Sequence, residues 1–144
     1  MSRLIFVNLP VRDLPRAVAF YKAIGAEKNP QFSDETAACM VFSETIHVML
    51  LTHEKFAQFT PKRIADARET SEVLIAISAD SREGVDAIAD KALARGGREA
   101  RPVEDHGWMY CRPFEDPDGH IWEPMWMDLE AAAAAMAEGE PQAA

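Results

Sequence analysis

The feature that most limits what this chain can fold into is that its pattern is written twice. "RLIFVNLPV" reads as a strand, β-branched and aromatic, closed by Pro10. "DLPRAVAFYKAIGAE" follows as a helix, with Asp13 as N-cap, Pro15 in the first turn and Gly25 after the last turn. "TAACMVF" and "IHVMLLT" then flank "SETI" as a hairpin. The pattern restarts with the strand "SEVLIAIS" and the helix "SREGVDAIADKALARGG", which begins after Ser81 and stops at Gly96–Gly97. "WMYCRPF" and "HIWEPMW" around "EDPDG" make a second hairpin. Neither half alone can bury both faces of its sheet, so the repeat predicts one domain built from a duplicated module.

Between the halves, "HEKFAQFTPKRIADARET" is polar and mixed and reads as a connector with some helix. After Met127, "DLEAAAAAMAEGEPQAA" holds a strong helix-forming alanine run without an apolar stripe, and it is expected to fray at its end. The boundaries expected are module one at about 3–52, a connector at 53–71, module two at 72–127 and a helical tail at 128–144.

Charge restricts the partners. With 15 Lys and Arg against 24 Asp and Glu the net charge is -9, which opposes phosphate backbones and anionic membrane surfaces. No apolar run is long enough to span a bilayer, and "MSRLIFVNLPVRD" lacks the form of a signal peptide. Cys39 and Cys111 are too few for a disulfide framework and have no metal-ligand spacing. The expected setting is the cytoplasm, with neither nucleic acid nor membrane as partner.

The layout, "VRDLPRAVAFY", the helix end "ALARGG" and "DPDGHIWE" together resemble the glyoxalase/bleomycin-resistance/extradiol-dioxygenase superfamily, the vicinal oxygen chelate proteins, over about residues 3–127. The resemblance implies an α+β fold: two tandem βαβββ modules forming a curved mixed sheet, a half-barrel, with helices on the outer face. Each module read above is one strand short of that. The missing strands are expected in "EKNPQF" (27–32) and "REARPVE" (98–104). Homodimers and a cavity for a small organic molecule are also implied.

Metal-dependent members of that family place one ligand, usually His, Gln or Glu, on each of four strands. Carried over by motif, the positions are Phe6, Leu50, Leu74 and Glu123. Three are apolar, and a lone carboxylate cannot hold a transition metal in a defined geometry. The expectation is therefore no metal and no other cofactor. His47 lies on the strand face opposite Val48 and Leu50, and His53, His106 and His120 lie at strand ends or turns.

Strand alternation turns the same positions into an expected lining of Phe6, Asn8, Leu50 and Leu74. Pairing across Asp116–Gly119 would set Arg112 opposite Glu123, with Tyr110 and Trp108 on the same face. In the first hairpin, Cys39 and Val41 would share the face of Val48 and Leu50, while Met40, Phe42 and Met49 pack under the helices. Each polar member has two readings. Trp108 and Tyr110 are ligand contacts or core aromatics, and Arg112–Glu123 is a structural ion pair or an acid/base pair. Two functions stay open: a binding or sequestration protein, or a glyoxalase-type lyase, isomerase or dioxygenase using a divalent metal or Glu123 as acid/base.

Overall fold

A computed structural model describes residues 2–139. It is α+β, with two sheets and four helices. The chain divides into two compact units, residues 1–72 with 117–120 and residues 73–116 with 121–144. No helix among the described residues is long and apolar enough to cross a membrane.

In the first unit, β1 (Ile5–Val11) leads to α1 (Leu14–Ala23), β2 (Glu27–Asn29), a 3-10 turn (Pro30–Phe32), β3 (Ala37–Val41), β4 (Ile46–Thr52) and the short α2 (His53–Ala57). The sheet order is β1-β4-β3-β2, with β1 parallel to β4 and the other pairs antiparallel. Asp13 caps α1 by accepting from the Arg16 amide at 3.1 Å. Leu14, Ala17, Phe20 and Tyr21 are the buried stripe of α1. Val48, Leu50, Met40 and Ala38, all at most 1% exposed, are the buried row of the sheet.

The second unit repeats the plan. β5 (Leu74–Ser78) precedes α3 (Arg82–Ala94), β6 (Arg98–Glu99), β7 (Glu104–Asp105), β8 (Met109–Cys111), β9 (Phe114–Glu115), β10 (Ile121–Met127) and α4 (Leu129–Ala137). β5 runs parallel to β10, as β1 does to β4. Ser81 caps α3 through the Gly84 amide, matching Asp13. Val85, Ala89 and Ala92 are the buried face of α3, and Trp122, Phe114 and Pro124 are its fully buried sheet counterparts.

The expected fourth strand is present in both modules, as β2 and as the pair β6 and β7. That second strand is broken between Glu99 and Glu104, and its neighbour is broken between Cys111 and Phe114. Against β10 the registers on both sides of the break agree, Met125 with Cys111 and Trp122 with Phe114, but on the edge strand residues 100–103 stand against only 112–113, so two residues, in a stretch that holds Arg101 and Pro102, bulge out of the ladder. The break falls where Pro113 stands opposite Glu123 and Pro124 opposite Arg112, and neither proline has an N–H to give the ladder. The alanine run does form α4, while the end of the tail, residues 140–144, lies outside the described residues.

Candidate functional site

Register decides which side chains share a face, and it corrects the expected lining twice. In the first hairpin Cys39 stands opposite Met49 and Met40 opposite Val48. Val48 and Leu50 therefore face α1 with Met40 and Ala38, and Leu50 is fully buried there. The opposite face carries Phe6, Asn8, His47 and Met49, because β1 pairs Phe6 with His47 and Asn8 with Met49. Phe6 stacks on His47 with ring centroids 4.5 Å apart. Leu50 thus lies on the helix side, away from Phe6 and Asn8, and Met49 lies on their face.

The second correction concerns Arg112. The pairs Phe114–Trp122 and Glu115–Ile121 leave a five-residue connection, 116–120, where four residues were expected. One residue of slip turns every side chain of a strand to its other face. Tyr110 and Arg112 consequently meet α3, not Glu123. Tyr110 Oη donates to Asp86 at 2.7 Å, and Arg112 Nη1 donates to Asp86 at 3.0 Å and Asp90 at 2.9 Å. These bonds hold the Asp86 carboxyl below the ordinary carboxylate range, first through Tyr110 and then through Arg112. Arg82 stacks over Tyr110 and Trp126, while Trp108 stacks on His106. The expected Arg112–Glu123 pair does not exist.

Glu123 is 4% exposed and lies on the sheet face away from α3. Its partner is Arg101, in the break between β6 and β7. Arg101 Nη1 donates to Glu123 Oε2 at 2.8 Å. The same guanidinium donates through Nε to Glu104 Oε1 at 3.1 Å, and through Nη2 to the same oxygen. His106 Nε2 stands 3.5 Å from the other Glu104 oxygen. The Cys111 thiol belongs to this face as well. Burial, and then the Glu123 charge, push it up to about 11. Beside Glu123, β5 presents Leu74, Ala76 and Ser78, all exposed. Composition and periodicity carry no signal for Arg101; only the strand break aims it inward.

The repeat also locates the family's ligand positions. Leu74 lies as far before Ser81 as Phe6 lies before Asp13. Glu123 pairs with Ala76 as Met49 pairs with Asn8, so Met49 replaces Leu50 as the second position. The set becomes Phe6, Met49, Leu74 and Glu123, still with a single carboxylate. Among the described residues no three His, Cys, Asp or Glu side chains form a group that could hold a metal ion. The donor set does not fit the family's divalent metal, because Glu123 is engaged by a guanidinium and the other three positions offer no hard donor.

The "DPDG" turn has a separate role in the first unit. Asp118 Oδ1 accepts from the Arg12 amide at 3.0 Å, and Arg68 donates to the Pro117 carbonyl at 2.9 Å. Gly119 has φ +97°, and a Cβ there would stand 2.7 Å from the Ala67 carbonyl carbon. His120 Nε2 lies 2.8 Å from the Pro10 carbonyl. The motif is an anchor as well as a turn.

Tandem modules, each a parallel strand pair around a crossover helix with antiparallel strands added, define the vicinal oxygen chelate class of fold. Residues 3–123 match the Glyoxalase/Bleomycin resistance protein/Dioxygenase superfamily, and the chain belongs to it. A hypothetical protein, SA1046 from S. aureus, is 26% identical with a TM-score of 0.73, over 88% of this chain and 95% of that one. A glyoxalase/bleomycin resistance protein/dioxygenase family enzyme from Burkholderia phytofirmans PsJN is 19% identical with a TM-score of 0.71, over 88% and 99%. A fosfomycin resistance protein, FosX from Listeria monocytogenes, is 22% identical with a TM-score of 0.65, over 90% and 97%. No curated protein matches the chain significantly.

Proposed function

We propose that the chain binds a small organic molecule on the face of the second unit's sheet that carries Leu74, Ala76 and Glu123. One observation supports this reading above the others. A carboxylate 4% exposed is bonded by Arg101 beside exposed apolar strand residues, Leu74 being 51% exposed. Mostly apolar surface with a few aimed polar groups is the usual chemistry of small-molecule sites. In the first unit, Phe6, 48% exposed, and Asn8, also exposed, form a corresponding face, proposed on its own as a ligand-contacting surface. The groove under α3, lined by Leu93, Arg101, Val103 and Arg112, has room for only about 70 Å³. That is too small for a drug-sized ligand.

Binding or sequestration is the first reading, and the family's bleomycin-resistance members give it a precedent. Lyase, isomerase or dioxygenase chemistry is the second. It rests on the carboxylate itself, which would serve as the base toward a bound carbon or oxygen acid once released by Arg101. A homodimer in the cytoplasm, contacting neither nucleic acid nor membrane, is part of the reading.

A thermal-shift screen of small organic molecules tests it, since a ligand that binds the folded state raises its melting temperature. A compound that stabilises the wild type but not Leu74→Arg supports the site. Stabilisation unchanged in Leu74→Arg places binding elsewhere and overturns it. Chromatography of the bound compound after incubation separates sequestration from turnover.

A further inference from the structure

Glu123 stands where metal-dependent relatives have a metal-ligating carboxylate, yet the cation beside it belongs to the chain. Three donor-type side chains of the second unit face one guanidinium. Glu123 accepts from Nη1 at 2.8 Å, Glu104 accepts from Nε and Nη2, and the Cys111 thiol shares their face. Two carboxylates face one guanidinium, so removing the guanidinium would leave two negative charges beside each other. Arg101 is delivered to this point by the backbone. The Ala100 amide bonds the Pro113 carbonyl at 3.2 Å on one side, and Glu104 pairs with Cys111 on the other. A tethered cation of this kind competes with a free one at high effective concentration.

We infer that Arg101 is a built-in replacement for the divalent cation, so that Glu123 is a guanidinium-bound carboxylate and takes up a metal only when the guanidinium is removed. The inference is independent of whether a small molecule binds the neighbouring face. Its chemical content is cation exchange at one position. A planar, delocalised cation fixed by three N–H groups serves where an ion with open coordination positions stands in relatives. The donors as they now stand do not form a metal site. In the inferred variant they close on the vacated charge.

The experiment compares wild type, Arg101→Ala, and Arg101→Ala with Glu123→Gln, each melted alone, with Zn²⁺ and with methylguanidinium. The wild type should show no saturable response to either cation. Arg101→Ala should be stabilised by both, with a Zn²⁺ affinity raised about tenfold or more over the wild type, which corresponds to about 1.4 kcal/mol. Adding Glu123→Gln should abolish both responses. Cobalt substitution should give thiolate-to-metal absorption in Arg101→Ala only when Cys111 is present. Wild-type protein that binds Zn²⁺ through Glu123, with the binding lost in Glu123→Gln, overturns the inference. So does a folded Arg101→Ala that ignores both cations. If Arg101→Ala does not fold unaided, recovery of structure on refolding with either cation supports the inference, and failure with both overturns it.

Discussion

Arg101 and Glu123 are 22 residues apart in sequence and 2.8 Å apart in space, with the glutamate side chain 5% exposed and the arginine 33% exposed. The pair joins the broken edge strand to the central strand of the second sheet. Breaking a buried pair by deleting one partner strands the other charge, at several kcal/mol when burial is complete. Solvent at Arg101 reduces that penalty. Arg101→Ala is expected to cost about 2 kcal/mol. Glu123→Gln, which keeps shape and one acceptor, should cost about 1 kcal/mol. Urea unfolding of the two variants checks the order.

Arg112 serves α3 and not Glu123. A double-mutant cycle should therefore give Arg112→Ala and Glu123→Gln additive effects, within about 0.5 kcal/mol. Arg112→Ala and Asp86→Asn should be coupled, because Asp86 loses one of its donors. Coupling of the first pair as large as the second would contradict the register.

Acid should loosen the contact between α3 and its sheet. Asp86 is depressed below its ordinary 3.8 by Tyr110 and Arg112, and Asp105 is depressed by its two bonds from Arg82. A depressed carboxyl contributes stability that is present above the unfolded value and lost as pH falls through the folded value. Stability should thus decline below about pH 4. Asp86→Asn should have a shallower decline, read from melting temperature against pH.

Cys111 should resist thiol reagents in the folded protein. Its thiol is 2% exposed and pushed up to about 11 from 9.0. A raised thiol contributes stability below its ordinary value and loses it as pH rises toward the folded one. Labelling at pH 8 should be slow in buffer and fast in urea, and prompt labelling of Cys111 in native protein would contradict the burial.

Gly119 should not tolerate a side chain. Its φ of +97° disfavours any L residue, and a Cβ would meet the Ala67–Arg68 peptide at 2.7 Å. Backbone cannot yield as a side-chain tip can, so Gly119→Ala should cost about 2–3 kcal/mol, measured by urea unfolding.

The sequence by itself determined the repeated strand–helix–hairpin pattern and its two helices, while the fourth strands, in short polar segments, were expected only from the family resemblance. The pattern and its helices are local. A cap at Asp13 or Ser81, a glycine after the last turn and an apolar run act within a few residues of themselves. Phe6, Leu74 and Glu123 came from the family's motif, and strand alternation added Asn8 to the face of Phe6. Only the tertiary structure decided which side chain meets Glu123. The connection 116–120 holds five residues because Asp118 and Gly119 are fixed against Arg12 and Ala67, and that one residue turns Tyr110 and Arg112 toward α3. Leu50 went to the helix side for the same reason of register, set by its partner Ala38. Arg101 then reaches Glu123 from a two-residue bulge in its own strand, beside Pro102, where residues 100–103 stand against 112–113. A side-chain period of two makes facing depend on a single residue of register, and register is settled by contacts distant in sequence.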